Sequence, residues 1–474
     1  MRIHSTQEEI VFWKRVLFTS VPLILLFAAF AEWVLTSAPK NPLAVFAAAA
    51  IAFLFALLGI RFIPQWMAAW SRKPWLPERP EIGRRSARKS RMHPMLQLLV
   101  CLLLFRVFLF VLTYLISLLQ QGYTGGLVEN LGVWNQLGTD SQHYLNIAEN
   151  GYVNTGDDRL LLVFFPLYPM LVRVFSAVFG NYLVSGLIVS NLCWVFAAYL
   201  FYELALMDTD RRGALRALKY LCILPASFLF SAPLSDSLFL LLSVACVYAV
   251  RKRLYPLAGV VGFFASFTRM PGILLVVPVV FELVGEIIRE RPLHRSAKPA
   301  DRRWRLSMAG NALSVLLIPA GLLAYFYVNY RVSGNALMFL TYQREHWHQQ
   351  LGWFFGSAAT IVNNATTNFA DNLSMLWGLW IPSILFLFGS ISLVTAAQNK
   401  LRASNVAYFL AYFAVCMGAT WLLSAPRYLT AAYPLALALG ALTQKRWADR
   451  LATIVCLVLF VLYLIAFVFQ WYVY

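Results

Sequence analysis

Apolar positions in this chain gather into long runs instead of alternating. About twenty apolar residues cross a hydrocarbon core, and about thirteen stretches come near that length: 15–37, 43–63, 95–120, 182–206, 214–231, 235–250, 254–270, 271–290, 309–331, 373–397, 404–424, 428–443 and 451–473. Each is expected to be helical, because a backbone in lipid must satisfy its hydrogen bonds within its own segment. Several runs are short or interrupted by proline. The first run has no small-residue cleavage site behind it and a second follows at once, so it reads as an anchor and not a removed signal. The pattern predicts an all-α polytopic membrane protein. Polar positions concentrate in two stretches too long to be turns, 121–181 and 332–372, and long connections in a compact architecture are usually functional.

Composition narrows the picture. Of 474 residues 60% are hydrophobic and only 13% charged, against about 45–50% and about 25% in soluble domains. An ordinary soluble enzyme and a disordered chain are both excluded. Lys and Arg number 39 against 21 Asp and Glu, a net +18. With the N-terminus placed in the cytoplasm and the runs alternating, 31 of the 39 basic residues fall on the cytoplasmic side. That asymmetry is the usual signature of orientation in a membrane. It leaves Lys40, Arg159, Arg173, Arg269, Arg331, Arg344 and Arg427 on the other face, with Arg106 inside a run. The basic, Pro-rich stretch 72–93 fits a linker against anionic headgroups better than a nucleic-acid site. The expected organisation is therefore an N-terminal transmembrane hairpin over 1–64, a cytoplasmic linker over 65–94, and a membrane core over 95–474. All six Cys lie in apolar runs and read as small packing residues.

Chemistry is expected on the face with few basic residues. Asp140-Ser-Gln-His143-Tyr144-Leu-Asn-Ile147-Ala-Glu149-Asn-Gly151-Tyr152 reads as a short helix, with Asp140 at its N-cap and Gly151 beyond its end. Asp140, His143, Tyr144 and Ile147 share one helical face, and Leu145 and Ala148 lie on another. Asp140 is then either a helix cap or a carboxylate with a reaction to run, and His143 either a surface ring or its helper. Phe164-Phe165-Pro166-Leu167-Tyr168-Pro169 is too short to span. It fits an interfacial segment that anchors the chain or shapes the approach of a lipid-borne substrate. Ser231–Ser237, Thr268-Arg269-Met-Pro271-Gly272 and Ser424-Ala-Pro426-Arg427-Tyr428 break apolar runs on the same face. Arg269 and Arg427 either snorkel to headgroups or bind phosphate, for which the guanidinium fork is well shaped. In the second long loop Glu345, His346 and His348 sit among aromatic residues of the kind on which sugar rings pack. His346 and His348 are two apart with no third ligand at diagnostic spacing, so no metal site is expected. No phosphate-binding glycine loop or dinucleotide fingerprint is present, and no cofactor is expected.

Taken in order, the Asp140–Tyr152 and Phe164–Pro169 segments, Pro225–Ser237, Thr268-Arg269 and Arg427-Tyr428 resemble the PIG-V family of GPI mannosyltransferases, through its bacterial relatives in the GT-C class. The likeness spans about 95–474. One departure is that the family tends to place Trp directly before the Asp, where this chain has Thr139. The resemblance implies a GT-C-like bundle that transfers a sugar, mannose by the family's habit, from a polyprenyl- or dolichyl-phosphate carrier with inversion. It implies Asp140 as general base, His143 positioning that base or the acceptor, and Arg269 and Arg427 on the departing phosphate. Tyr428, Tyr144, Asp236, Glu345, His346 and Arg106 are further candidates for binding substrate. Expected partners are a lipid-phosphate sugar donor, a glycolipid, glycan or protein acceptor, and membrane lipids, with no nucleic acid. A multi-pass protein of a bacterial plasma membrane with an extracytoplasmic site is the expected setting. The rival reading is a transporter or flippase of a lipid-linked saccharide, which also has many spans and polar helix breaks. Against it, the polar groups crowd one face instead of the middle of the membrane.

Overall fold

The computed structural model describes residues 2–71, 94–120, 124–136, 139–293, 299–369 and 372–473; the basic linker at 72–93 lies outside them. The chain runs α1 (Arg2–Thr36), α2 (Pro42–Ala69), α3 (Pro94–Ser117), α4 (Asp140–Asn150), α5 (Leu167–Phe179), α6 (Tyr182–Leu206), α7 (Arg211–Ile223), α8 (Asp236–Arg251), α9 (Tyr255–Thr268) and α10 (Val276–Glu290). It continues α11 (Pro299–Val315), α12 (Leu317–Ser333), α13 (Met338–His346), α14 (Phe354–Thr367), the single turn α15 (Leu373–Met375), α16 (Ile381–Ala397), α17 (Ala403–Cys416), α18 (Ala425–Ala431), α19 (Pro434–Leu442) and α20 (Arg446–Val468). Among the described residues there is no strand, only an isolated antiparallel bridge between Leu351 and Ala419.

Among the described residues eight helices are long and apolar enough to cross a membrane, nine if the bent pair Asp157–Val163 and Leu167–Phe179 counts as one span. Their outward faces carry the lipid-facing surface, as in α3 (Leu103, Leu104, Val107, Phe108) and α20 (Leu451, Ile454, Val458, Leu462), all exposed. The remaining apolar helices are shorter, and that matters for the site. α8, α9 and α17 have 16, 14 and 14 residues. At about 1.5 Å per residue they reach about 24, 21 and 21 Å, short of the about 30 Å of a hydrocarbon core. Each stops where the backbone turns irregular or 3₁₀: Ser227–Ser231 precedes α8, Met270–Leu275 follows α9, and 417–424 follows α17. Non-helical backbone at such depth is tolerated only inside protein or beside water. Here Gly418 and Ala419 join Gly352 and Leu351, Gln350 carbonyl accepts from Thr420 N at 2.9 Å, and Ser357 donates to Ala419 carbonyl at 2.8 Å.

Two expected spans are thereby corrected. The run 214–231 is helical only to Ile223 and 404–424 only to Cys416, because Leu224-Pro225 and Met417-Gly418 turn the chain while hydrophobicity continues. The second long loop, expected mainly as an excursion with short helices, sends α14 into the bundle. Phe354 packs on Phe55 (ring centroids 4.6 Å) and Phe413 (5.8 Å), and Phe355 on Trp33 (5.5 Å). Asn41 in the α1–α2 turn donates to Thr366 at the other end of α14 at 2.7 Å. α2 packs on α1 and also lies against α14, α16 and α17.

The centre is built from α6, α8, α9 and α12, with Trp194, Phe201, Phe239 and Val244 fully buried. Small residues bring α9 and α12 together: a Cβ on Gly321 would meet the Phe263 carbonyl oxygen at 2.0 Å. Such close backbone approach is how helices associate without a hydrophobic drive between them. The end of the bundle that carries most basic residues is tied by Arg251–Asp208 (2.6 Å), Arg402–Glu282 (2.5 Å), Lys219–Asp449 (2.7 Å) and Arg253–Glu290 (2.8 Å).

Candidate active site

At the opposite end, where the short helices stop, four charged side chains form a chain. Asp236 is the first residue of α8, where a carboxylate complements the helix dipole. Arg269 follows the last residue of α9, and Arg427 stands in α18 behind Pro426. Asp140 opens α4 in the first long loop. Arg269 donates to Asp236, Arg427 donates to Asp140 at 2.5 Å, and Arg427 Nε lies 3.7 Å from the second Asp236 oxygen. Two acids and two bases cancel, which makes their burial affordable. Asp236 (1% exposed), Arg427 (5%) and Arg269 (8%) are buried, whereas the Asp140 side chain is about one-third exposed at 32%. Asp140 is thus the member of the set that faces outward. Burial pushes its carboxyl up, but the charge and hydrogen bond of Arg427, with His143 and Arg269 adding, outweigh that and hold it below the usual carboxylate range.

Aromatic rings line the set. Arg269 lies over the Tyr428 ring at 4.8 Å and Arg427 at 5.5 Å, and Tyr412 fixes Tyr428 by donating to its carbonyl at 3.0 Å. Tyr144 meets Ser235 at 2.8 Å, pinning α4 beside the start of α8, and burial pushes its phenol up so that it stays protonated. His143 packs on Phe164 (5.0 Å) and Tyr144 on Phe164 (5.2 Å) and Tyr168 (5.3 Å). Arg173 on α5 clamps the end of α4 by donating to Ala148 and Glu149 carbonyls at 2.7 and 2.8 Å. The outer face of α5, with Met170, Val174 and Val178 exposed at every fourth position, is apolar. That agrees with a segment lying against lipid.

Sequence expectations divide accordingly. Asp140, His143, Tyr144, Asp236, Arg269, Arg427 and Tyr428 come together. Glu345 and His346 do not: both are exposed on α13, Glu345 facing Arg344 at 3.7 Å and His346 stacking near Tyr342 and Trp347. Arg106 is buried (1%) elsewhere, bonded to Ser231 Oγ at 3.0 Å and lying over Trp194 at 3.4 Å. Asp140 is not the N-cap. Thr139 holds that position and Asp140 turns its carboxylate to Arg427 instead, while Gly151 ends the helix at φ +78° as expected. The two expected faces of α4 are both buried, since Leu145 and Ala148 pack as well as Tyr144 and Ile147. Phe239 and Tyr412 were not singled out; Phe239, one turn after Asp236 on α8, lies 5.9 Å from the Arg269 guanidinium, and that i, i+3 spacing was the available signal.

The mannosyltransferase (PIG-V) family matches residues 92–336, beginning at the end of the basic linker. No curated protein matches. Among solved structures, the chain is similar to ArnT from Cupriavidus metallidurans bound to undecaprenyl phosphate, at 15% identity and a TM-score of 0.43, covering 74% of this chain and 62% of that one. It is also similar to the Archaeoglobus fulgidus oligosaccharyltransferase in complex with zinc and sulfate (15% identity, TM-score 0.40, 77% and 53%). A third is AglB from Archaeoglobus fulgidus with an inhibitory peptide and a dolichol-phosphate (12%, 0.38, 78% and 56%). The alignments thus span less than two-thirds of each of these proteins.

Proposed function

Given that this chain belongs to the mannosyltransferase (PIG-V) family, and is therefore a membrane glycosyltransferase, we propose that it moves mannose from a polyprenyl- or dolichyl-phosphate carrier to an acceptor hydroxyl with inversion. The observation that carries the reading is the Asp140–Arg427–Asp236–Arg269 chain, with its carboxylate turned outward and its guanidiniums behind. In this reaction the acceptor oxygen attacks the anomeric carbon, the bond from that carbon to the carrier's phosphate oxygen breaks, and the acceptor proton passes to Asp140. The phosphate leaves on its lipid as a more highly charged monoester, and Arg427 and Arg269 stabilise that growing charge. Asp236 holds both arginines in place from the side away from substrate. A lipid-phosphate leaving group departs without an acid, so one carboxylate is sufficient. ArnT and AglB were each solved with a polyprenyl or dolichol phosphate, which accords with such a donor. The proposed orientation puts the basic end in the cytoplasm of a bacterial cell and the Asp140 end outside, where a flipped carrier presents its sugar.

The test is donor turnover by purified protein in lipid vesicles, supplied with polyprenyl-phosphate mannose, then with its glucose and arabinose counterparts. Mannose turnover is expected, reduced about 10²–10⁴-fold in Asp140→Asn. Near-wild-type transfer by folded Asp140→Asn would refute the base assignment. Failure of every donor, together with carrier movement across the bilayer, would favour the flippase.

A further inference from the structure

A sizeable cavity lies well away from Asp140. It opens at the opposite, basic end, has a volume of about 380 Å³, and lies between α2, α7, α10, α17 and α19. Asp236 and Arg251 mark the two ends of α8, about 22 Å apart at 1.5 Å per residue, and Arg251 is bonded to Asp208 on the cavity wall. The cavity is therefore separate from the candidate active site.

Its wall charge is unbalanced. Asp208 and Glu282 are its acids, and both are already engaged: Asp208 takes two bonds from Arg251 at 2.9 and 2.6 Å, and Glu282 takes two from Arg402 at 2.5 and 2.8 Å and one from Ser404 at 2.6 Å. That leaves Arg216, Arg289 and Lys400. Among the described residues each hydrogen-bonds to a backbone carbonyl and not to a carboxylate: Arg216 to Gln444 at 3.3 Å, Lys400 to Ala441 at 3.2 Å and Arg289 to Ala69 at 3.2 Å, while Asp449, the acid that Arg216 feels through space, is itself bonded by Lys219 at 2.7 Å. The Arg216 Nε is buried with no acceptor. Ala441 is in the last turn of α19 and Gln444 two residues past its end, so Arg216 and Lys400 stand on one wall, and Arg289, bonded to the end of α2, stands on another with Trp70 and Phe281. Basic residues at helix ends usually reach outward to headgroups. These three instead line a concave site of a size suited to a small ligand.

We propose that this cavity binds a phosphate-bearing anion, Arg216 and Lys400 gripping the phosphate from one wall and Arg289 from the other. The chemistry is the same whether the phosphate belongs to an anionic lipid headgroup entering from the bilayer or to a free phosphorylated metabolite. Two arms distinguish them. Full-length protein in phosphatidylcholine nanodiscs is titrated with inorganic phosphate and with glycerol 3-phosphate; separately, protein reconstituted with phosphatidylglycerol is examined by native mass spectrometry for retained anionic lipid. Saturable binding in the first arm assigns a soluble ligand, and retention in the second alone assigns a headgroup. In either case Arg216→Gln/Lys400→Gln is expected to weaken binding about tenfold or more, since it removes two charge-assisted contacts. Arg216→Lys/Lys400→Arg, which keeps the charge, retains binding, and so does Asp140→Asn, which separates this site from the donor site. If the glutamine pair does not fold, as read by thermal unfolding, Arg289→Gln is measured in its place with the same expected loss. The proposal is overturned if wild type binds neither form, or if the folded glutamine variant binds as tightly as wild type.

Discussion

Arg427 has two partners at rest, Asp140 at 2.5 Å and Asp236 at 3.7 Å, and its Nε has no hydrogen bond. On the proposed mechanism a carrier phosphate arriving beside Asp140 competes for that guanidinium. As Arg427 turns to phosphate, Asp140 loses the neighbour that most lowers its pKa, and the carboxylate becomes a better base when substrate is present. The sign follows from the causes: burial raises the Asp140 pKa, and Arg427, with His143 and Arg269 adding, lowers it further than burial raises it. In the free enzyme Asp140 therefore stays ionised to a pH below the usual carboxylate range, and its ion pair contributes stability that is complete above the ordinary carboxyl pKa of the unfolded chain and is lost as pH falls from there through the lowered folded value. The acid limb of kcat/KM, which reports the free enzyme, is expected at lower pH than the limb of kcat, and a pH profile of both constants checks this. Arg427→Gln is expected to move the kcat/KM limb to higher pH and to lower transfer about 10²–10³-fold. An unmoved limb would mean that Arg427 does not control Asp140. At this scale the sequence was informative about identities and poor on pairings. Asp140, Arg269 and Arg427 stood out as polar breaks in apolar runs. That Asp236 is the pivot between two arginines, and not a group facing sugar, depends on packing between residues 33 and 191 positions apart.

Among elements, the position of Arg269 depends on how closely α9 approaches its neighbours. Gly321 has the Phe263 carbonyl where its Cβ would be, and one turn earlier along α9 a Cβ on Gly259 would meet the Ser314 carbonyl oxygen at 2.2 Å. Neither obstacle is a flexible side chain, so a larger residue must part the helices. Gly321→Val is expected to destabilise the protein by about 1–3 kcal/mol and to reduce transfer with it, since α9 carries Arg269 at its end; thermal unfolding alongside donor turnover checks both. Helix existence was legible in hydrophobic runs, and helix ends were not. Leu224 and Met417 are as apolar as the residues before them, yet the chain turns there. α14 escaped notice for the converse reason: Ser357, Thr360, Asn363, Asn364, Thr366 and Thr367 dilute a helix whose Phe354, Phe355, Ala358 and Ile361 are buried.

For the molecule as a whole, the charge asymmetry is an orientation with a physical check. A cysteine placed at exposed Glu345 is expected to react with an impermeant thiol reagent added outside intact cells, and one placed at exposed Arg253 only after the membrane is opened. The wild-type Cys101 is exposed on α3 and is first replaced by Ser to keep the background low. The reverse pattern of labelling would invert the molecule, and with it the side from which donor must come.

The short central helices have a further consequence, for the bilayer itself. α9 and α17 reach about 21 Å while the lipid-facing α3 and α20, with 24 and 23 residues, reach about 36 and 34 Å. At the Asp140 end these short helices thus stop well short of the length spanned by the periphery. Mismatch of this kind draws the adjacent leaflet down toward the protein, at a cost that grows with each ångström of excess lipid length. Local thinning would bring a carrier's phosphate to Asp140 without pulling its polyprenyl tail out of the membrane. Transfer should then fall as the acyl chains of the surrounding phosphatidylcholine lengthen, while a water-soluble phosphate probe at the opposite end binds unchanged. The bilayer, by its thickness alone, would be part of how this enzyme admits its donor.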